Sequence, residues 1–405
     1  MNGSVDDAQH VRAFDLGRLD AGFLTDPYPT YHRLRRHAPV HRLPDGSVFL
    51  CRYDDVLTVY RDRRMSSDKR REFKPRFGDG PLYEHHTTSL VFNDPPLHTR
   101  VRRLLSTAFT PRALAALEPR IEAVVSGLLD RAGAAGGMDL IADYASALPV
   151  EVIGDMLGVP HAERGPLRAW SLAILGALEP AITPAILAQG NRAVAEFKDY
   201  LKRLIAGRAG RQIEAGDILQ ALIDGEPDGE RLSETELLHQ CIFLLNAGHE
   251  TTTNLIGNGL DALLRFPAEM QRLRREPGRI RTAVEEFLRF ESSNQLGNRL
   301  LTEDAEIGGM ALAAGTYIWL GIGAANRDPA QFPDPDRLDI GREPNRHLAF
   351  GAGIHVCLGN TLARMEGRIA IARLLARFPD FRPASDCVRG SRARFRGFLS
   401  YPVAF

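Results

Sequence analysis

Four cysteines are spread over 405 residues, at Cys51, Cys241, Cys357 and Cys387, and no two form a C-x-x-C pair. That spacing excludes a disulfide framework and a structural zinc ribbon, and it fits a reducing compartment. Aromatic residues make up only 7% of the chain, and Lys+Arg equals Asp+Glu at 51 each. The sequence therefore lacks both a base-stacking surface and the basic excess that nucleic-acid binding depends on. No run approaches the roughly 20 apolar residues that cross a bilayer. The opening residues, MNGSVDDAQHVRAF, hold no apolar signal core. The expectation is a soluble, cytoplasmic protein with no nucleic-acid partner and no membrane insertion.

What the chain does have is helix. At 44% hydrophobic content it can bury a large core. Ile121, Val124, Val125, Leu128 and Leu129 follow Pro119 at helical spacing up to Gly133. A second helix opens at Ser233 with Glu236 as a capping box and runs to Phe266-Pro267. Residues 163–178 and 188–208 also have helical patterns. Strand signals gather in two places: a hairpin around Pro44-Asp45-Gly46, and short strands around Gly308-Gly309 and Gly315. Stretches near 75–81, 209–216 and 224–229 are expected as surface loops. The organisation expected is one domain, residues 1–405, mainly α with small β-sheets, preceded by a short polar tail to about residue 20.

The stretch FGAGIHVCLG, residues 350–359, sets one cysteine between glycine turns, with a histidine two residues before it. Gly351 and Gly353 permit positive φ and close backbone approach. The segment after Cys357 is a strong helix former with apolar Leu362, Ile369, Leu374 and Leu375. Cys357 thus stands just ahead of a helix N-terminus, where unpaired amides and the dipole favour a thiolate. A cysteine nucleophile would need an oriented base, and no Asn or Asp is placed to orient His355. An inert buried cysteine explains neither glycine. A thiolate ligand to haem iron remains, because it pushes electron density onto the iron and favours O–O cleavage. That option requires cations for two propionates, an oxygen-side helix with a proton relay, and a scaffold for the loop.

Four further stretches meet those requirements, in order along the chain. In NDPPLHTRVRRLLSTAFTP, His98 and Arg102 stand at i and i+4 on one helical face; the same pattern fits a solvated basic helix. In LLNAGHETTTN, a Gly and three consecutive threonines interrupt good helix formers, so something local must favour them. His249-Glu250 opens an H-E-x-x-H motif, but residue 253 is Thr, so the zinc-protease reading fails. In AVEEFLRFE, Glu286 and Arg289 stand at i and i+3, which alone fits an exposed helix pair. In NRLLTEDAEIGG, Arg299 fits a polar strand start as well as a cation site.

Together with FGAGIHVCLG this ordered set resembles the cytochrome P-450 family, from around residue 25 to the C-terminus, and most of all its soluble bacterial members. The resemblance implies haem b with Cys357 as iron ligand, inside a loop bearing Phe350, Gly351, His355 and Gly359. It implies propionate contacts from His98, Arg102, Arg299 and His355, and close haem approach at Ala247 and Gly248. Glu250 and Thr251 match the family's acid–alcohol pair, and Glu286, Arg289 and Arg342 its scaffold network. The implied reaction takes one oxygen atom from O2 into a small organic substrate, by hydroxylation or epoxidation. Electrons are expected from a ferredoxin-type donor with its NAD(P)H-dependent reductase, docking near Arg103, Arg112 and Arg364.

Substrate selection is expected from residues 65–92, 165–195, Phe243, Leu244, Ala247, the stretch Ser292–Gly297 and the turn 395–398. Ser292, Ser293, Asn294 and Gln295 depart from the apolar or Pro-bearing segment of many relatives, and are expected as solvated turn residues. The basic runs at 61–64 and 69–71 are expected as solvated faces. Three alternatives stand beside this reading. A peroxygenase or isomerase of haem-thiolate type would often lose the acid–alcohol pair. A haem sensor or carrier would need an output module. A zinc enzyme would use His347, His355 and Cys357.

Overall fold

The computed structural model describes residues 7, 10–208, 218–225 and 229–405. Its axis is a 32-residue helix, Glu234–Arg265, in which 23 residues are buried. The capping box forms as expected: Ser233 Oγ accepts the Glu236 N–H at 3.2 Å, and the Glu236 carboxylate accepts the Ser233 N–H at 2.9 Å. Pro267 stops the helix and starts the next, Pro267–Arg275. Helices Ala147–Met156, Leu167–Gly176, Ile280–Phe290 and Asn360–Arg377 pack around the axis. The largest apolar cluster lies between them, with Leu245, Leu260, Phe287 and Leu374 among its buried members. Burying such side chains is the main stabilising contribution, at about 1.5–3 kcal/mol each.

Beside this helical body lies a five-stranded sheet. Its order is Val40–Arg42, Val48–Leu50, Tyr317–Gly321, Leu296–Leu301 and Met65–Ser66. The first two strands form the expected hairpin, with Gly46 at φ 83°. Val48–Leu50 then runs parallel to Tyr317–Gly321, with Phe49 opposite Trp319. Side-chain alternation sorts the two faces. Val48, Leu50, Ile318 and Leu320 feed one cluster. Phe49 and Trp319 feed another, with Phe14, Tyr31 and Leu34.

Several boundaries differ from the sequence expectation. The helix assigned to begin at Pro119 spans Pro111–Ala135 and carries Pro119 inside it. Thr110 caps it, accepting the Ala113 N–H at 3.3 Å, and the helix keeps its apolar face through the proline. The segments read as 163–178 and 188–208 run Leu167–Gly176 and Pro184–Ala206, the second capped by Thr183. Residues 75–81 are not a plain loop: Arg70–Phe77 and Pro81–Thr88 are helices joined at Gly78. The expected loop at 209–216 and residues 226–228 of the loop expected at 224–229 lie outside the described residues, and Asp224 ends the helix Ile218–Asp224. The N-terminal stretch is not all polar tail, since Val11, Phe14 and Leu16 are buried and Phe14 packs edge-on against Phe49. Lys69 is no solvated charge but is buried and paired with Glu72 at 2.8 Å. No helix of the described residues is long and apolar enough to cross a membrane.

Ser233→Ala removes the hydroxyl half of the cap on the axial helix and leaves the backbone N–H that donates to Glu236. It is expected to cost about 1 kcal/mol in denaturant unfolding, with the helical circular-dichroism signal of the folded protein unchanged.

Candidate functional site: the cysteine loop and the axial helix

The loop that carries Cys357 is held in shape by backbone hydrogen bonds. The Cys357 N–H donates to the Phe350 carbonyl at 2.9 Å, and the Gly351 N–H to the Leu348 carbonyl at 2.9 Å. Gly351 and Gly353 take φ values of 66° and 69°, left-handed geometry that favours glycine. A Cβ on Gly353 would also collide with the Tyr60 carbonyl. The Cys357 carbonyl accepts the Asn360 side-chain amide at 2.6 Å, which ties the loop to the helix Asn360–Arg377. Burial pushes the Cys357 thiol up, opposed by the Gly359 N–H and by the Arg102 and Arg364 guanidiniums. The environment thus supplies part of what a thiolate needs, and a metal cation supplies the rest.

Around the loop stand four cationic or cation-capable side chains. His98 and His355 lie with ring centroids 4.1 Å apart. Both His98 ring nitrogens and His355 Nε2 are buried without a hydrogen-bond partner. Burial lowers both pKa values, that of His355 to about 2, with the neighbouring Arg299, His98 and Arg102 adding to the effect. Arg102 donates to the Val356 carbonyl at 2.8 Å, and Arg299 to the Asn298 carbonyl at 2.8 Å. No ion pair joins any of the four to a carboxylate among the described residues. Buried polar atoms are normally paired, and buried cations demand anions. The set fits a group that brings two carboxylates, as haem does.

The scaffold pair is buried rather than an exposed helix pair. Glu286 and Arg289 are both fully buried and joined twice, at 2.8 Å each. Arg342 approaches Glu286 at 3.2 Å. Glu286 also accepts the Asp339 N–H at 2.9 Å and the Asn345 amide at 3.1 Å. Arg289 donates to the carbonyls of Asn326 and Pro335. The Asn326 side chain in turn accepts the Leu348 N–H at 2.7 Å, two residues before Phe350. A second clamp was missed in the sequence, although its residue adjoins Glu286. Glu285 receives His347 at 3.1 Å and Arg364 at 2.6 Å. The Arg364 guanidinium lies 4.5 Å from the Phe350 ring. Arg364 is therefore engaged inside the protein rather than free for docking. Arg103 pairs with Glu230, and Arg112 is exposed.

On the axial helix, Phe243 and Thr251 are partly exposed and Ala247 is exposed, although most of the helix is buried. Residues four apart share a face, so this is one stripe that protein covers only in part. Gly248 has a packing role that the sequence did not show. A Cβ there would press on Ile153 of Ala147–Met156, so the glycine admits a neighbouring helix. The threonines are accommodated by back-bonding: Thr251 donates to the Ala247 carbonyl at 2.6 Å and Thr253 to the His249 carbonyl at 2.9 Å. Glu250 faces elsewhere and is gripped by Arg392, whose Nη1 lies 2.6 and 2.7 Å from its two oxygens. Burial still raises the Glu250 pKa to about 7 against that pull. Arg392 was missed because 142 residues separate it from Glu250.

Two expectations fail here. Ser292, Ser293 and Gln295 are buried, not solvated; Ser292 Oγ bonds the Leu288 carbonyl and the Asn326 amide, and Gln295 the Ser292 carbonyl. The zinc alternative fails because His347 turns to Glu285, and no three His, Cys, Asp or Glu side chains converge among the described residues.

Burial alone would raise the Glu285 pKa, but the His347 and Arg364 hydrogen bonds outweigh it and hold the value at about 2, below its ordinary 4.5. A depressed carboxylate pKa contributes stability that is fully present above the unfolded value and lost as pH falls through the folded one. Glu285→Gln is therefore expected to be less stable than the parent above pH 4.5, with the gap closing toward pH 2. Urea unfolding across that window checks it, and a gap independent of pH would contradict the clamp.

Comparison with known proteins agrees with this geometry. The cytochrome P450 family model matches residues 180–387. The cytochrome P450 monooxygenase PikC of Streptomyces venezuelae is 41% identical, over 90% of this chain and 87% of its own. The vitamin D(3) 25-hydroxylase of Pseudonocardia autotrophica is 40% identical, over 94% of each chain. The crystal structure of P450BioI in complex with an acyl carrier protein ligated to hexadec-9Z-enoic acid superposes with a TM-score of 0.90. It is 35% identical, over 96% of this chain and 100% of that one. Family members carry haem b on a cysteine thiolate and use organic substrates, O2 and redox partners. Cysteine loop, partnerless histidines and relatives all lead to one assignment: this chain belongs to the cytochrome P450 family and is a haem-thiolate monooxygenase.

Proposed function

We propose that residues 1–405 act as one catalytic domain that hydroxylates or epoxidises a small organic substrate, with Cys357 as the iron ligand. The observation that carries this is the His98–His355 pair, buried beside the Cys357 loop with three ring nitrogens lacking partners. His98, Arg102, Arg299 and His355 would hold the propionates. When bound, haem supplies the oxygen-activating chemistry, and the chain supplies position and electrostatics. Gly351, Gly353 and Gly359 shape the loop, and Phe350 covers the sulfur side with Arg364 on its ring.

Glu250 and Thr251 are the proton-handling pair in this reading. A carboxylic acid with a pKa near 7 exchanges protons readily at neutral pH. Arg392 fixes its orientation through both oxygens. The Thr251 hydroxyl, on the partly exposed stripe, donates to its own helix and keeps lone pairs for a second partner. The substrate would lie against that stripe, bounded by residues 65–92, the helices around 165–195, and the stretches 292–297 and 395–398. A ferredoxin-type donor with its NAD(P)H-dependent reductase is the proposed electron source. It would dock on the loop's outer side, where Ile354 is 56% exposed and Arg112 is exposed. A cytoplasmic location is proposed from the four unpaired cysteines.

Two experiments test the assignment. The dithionite-reduced protein with carbon monoxide is expected to show the strongly red-shifted Soret band of thiolate ligation. Cys357→Ala is expected to lose it; a variant that kept the band would remove Cys357 as ligand. Thr251→Ala and Glu250→Gln are expected to bind haem normally but divert reducing equivalents to peroxide. The ratio of peroxide to product should rise at least roughly tenfold, and unchanged coupling would take the pair out of proton transfer.

A further inference from the structure

Lys69, Arg76 and Arg394 come from two distant segments and meet over one face of the five-stranded sheet. Tyr317 and Trp319 alternate with Ile318 and so share that face. Lys69 Nζ lies 5.9 Å from the Tyr317 ring, and the Arg394 guanidinium 5.5 Å from the Trp319 ring. Asn298 stands opposite Trp319 in the strand register and donates to Glu72 at 3.1 Å. Arg76 sits one helical turn beyond Glu72 and donates to the Ala177 carbonyl at 2.9 Å and to the Glu179 carbonyl.

The charges in this space do not balance. Glu72 is paired with Lys69. Glu179 accepts the Ala393 and Arg394 backbone N–H groups at 2.9 and 3.0 Å. No ion pair joins Arg76 or Arg394 to a carboxylate among the described residues, and both Nε atoms are buried without a hydrogen-bond partner. Arg299, which also acts on Lys69, is set aside for the propionates; the remaining three cations against two carboxylates leave one positive charge in excess, on residues as deeply set as Arg394 at 7% exposure. The neighbouring histidine adds none, because burial together with Arg76 and Arg394 lowers the His86 pKa to about 3. Burial and the proximity of Arg394 also push the Arg76 pKa down to about 10. A buried cation is ordinarily paired, since leaving it alone is costly. Glu179 and Glu72 attract Arg394, but neither closes an ion pair with it.

Lys69 and Arg76 belong to the 65–92 segment, and Arg394 adjoins the 395–398 turn. We propose that the substrate bears a carboxylate, received by the Arg394 and Arg76 guanidiniums, while its carbon skeleton extends toward the stripe of Ala247 and Thr251. The inference rests on the monooxygenase reading of the site. Arginine suits the task because its planar fork matches a carboxylate in two parallel hydrogen bonds. Anchoring one end of a flexible skeleton would fix which carbon meets the oxygen-transfer site, a positioning contribution to regiochemistry.

The test uses the haem-loaded enzyme and matched ligand sets: a carboxylic acid, its methyl ester and the corresponding primary alcohol, on straight-chain, arylalkyl and polycyclic skeletons. Binding is read by the spin-state shift and independently by calorimetry. Acids are expected to bind about tenfold or more tighter than their ester and alcohol partners. In Arg394→Gln that ratio should fall to about one with ester binding unchanged, and Arg394→Lys should restore part of it. Esters binding as tightly as acids would overturn the proposal, as would a preference that survives both Arg394→Gln and Arg76→Gln, or a failure of every acid to bind. The ligand-free Arg394→Gln protein is expected to melt no lower than the parent. A lowered midpoint with acid preference intact would make Arg394 a structural cation and refute the proposal. The carbon monoxide spectrum is untouched by all these outcomes, so failure here is distinguishable from failure of the haem-thiolate assignment.

Discussion

A carboxylate and a guanidinium with no exposure to water, Glu286 and Arg289, hold the geometry on which the rest of the site depends. Taking such a pair out of water is costly, and its Coulomb attraction alone does not guarantee a net gain. What offsets the cost is the number of backbone groups the pair satisfies. Glu286 receives the Asp339 N–H, and Arg289 reaches carbonyls at Asn326 and Pro335. Irregular chain between 326 and 345 would otherwise bury unpaired backbone groups. The pair therefore specifies the path of a segment without regular structure, and that segment delivers Leu348 and the Phe350 loop. Glu285, one residue earlier, works from the same helix on the other flank, reaching His347 and Arg364. Adjacent residues on a helix point about 100° apart, which lets one short helix grip the loop's approach and its exit.

The axial helix obeys a different constraint. Its small residues admit neighbours, as Gly248 does for Ile153, and its threonines spend hydroxyls on their own backbone. Both features weaken an isolated helix. Both are tolerated because 23 buried residues and an intact capping box supply stability from packing and from the N-terminus. The helix can thus keep one stripe partly exposed at Phe243, Ala247 and Thr251 without losing its register.

The fold and the site were legible in the sequence to different depths. Local chemistry was readable where one stretch carried its own signal: the Ser233–Glu236 cap, the hairpin at Gly46, and the glycines flanking Cys357. It failed where tertiary packing overrode a local rule. Pro119 looked like a helix start, but Thr110 and Pro111 supply a better one and the apolar face continues past the proline. Ser292, Ser293 and Gln295 looked solvated because they are polar. Ser292 and Gln295 find a helix-end carbonyl, Asn326 and Tyr28, which no local pattern announces. Lys69 looked like part of a surface charge run, but Glu72 follows it on the inward face.

The segment SRARFR, residues 391–396, shows why long-range charge pairing resists sequence reading. Its three arginines go to three different environments. Arg392 grips Glu250 on the axial helix, Arg394 sits over Trp319 of the sheet, and Arg396 binds Glu291 at 2.6 Å and the Leu24 and Thr25 carbonyls. Extended chain sends alternate residues to opposite sides, and the bends of this turn separate the three further. Two of the three have carboxylate partners that lie more than a hundred residues away, and the pairing is visible only once both are placed. The third has none. In a turn that so consistently neutralises its cations, Arg394 is the exception: Glu179 and Glu72 attract it without closing an ion pair, and an anion from outside the chain is the partner proposed for it.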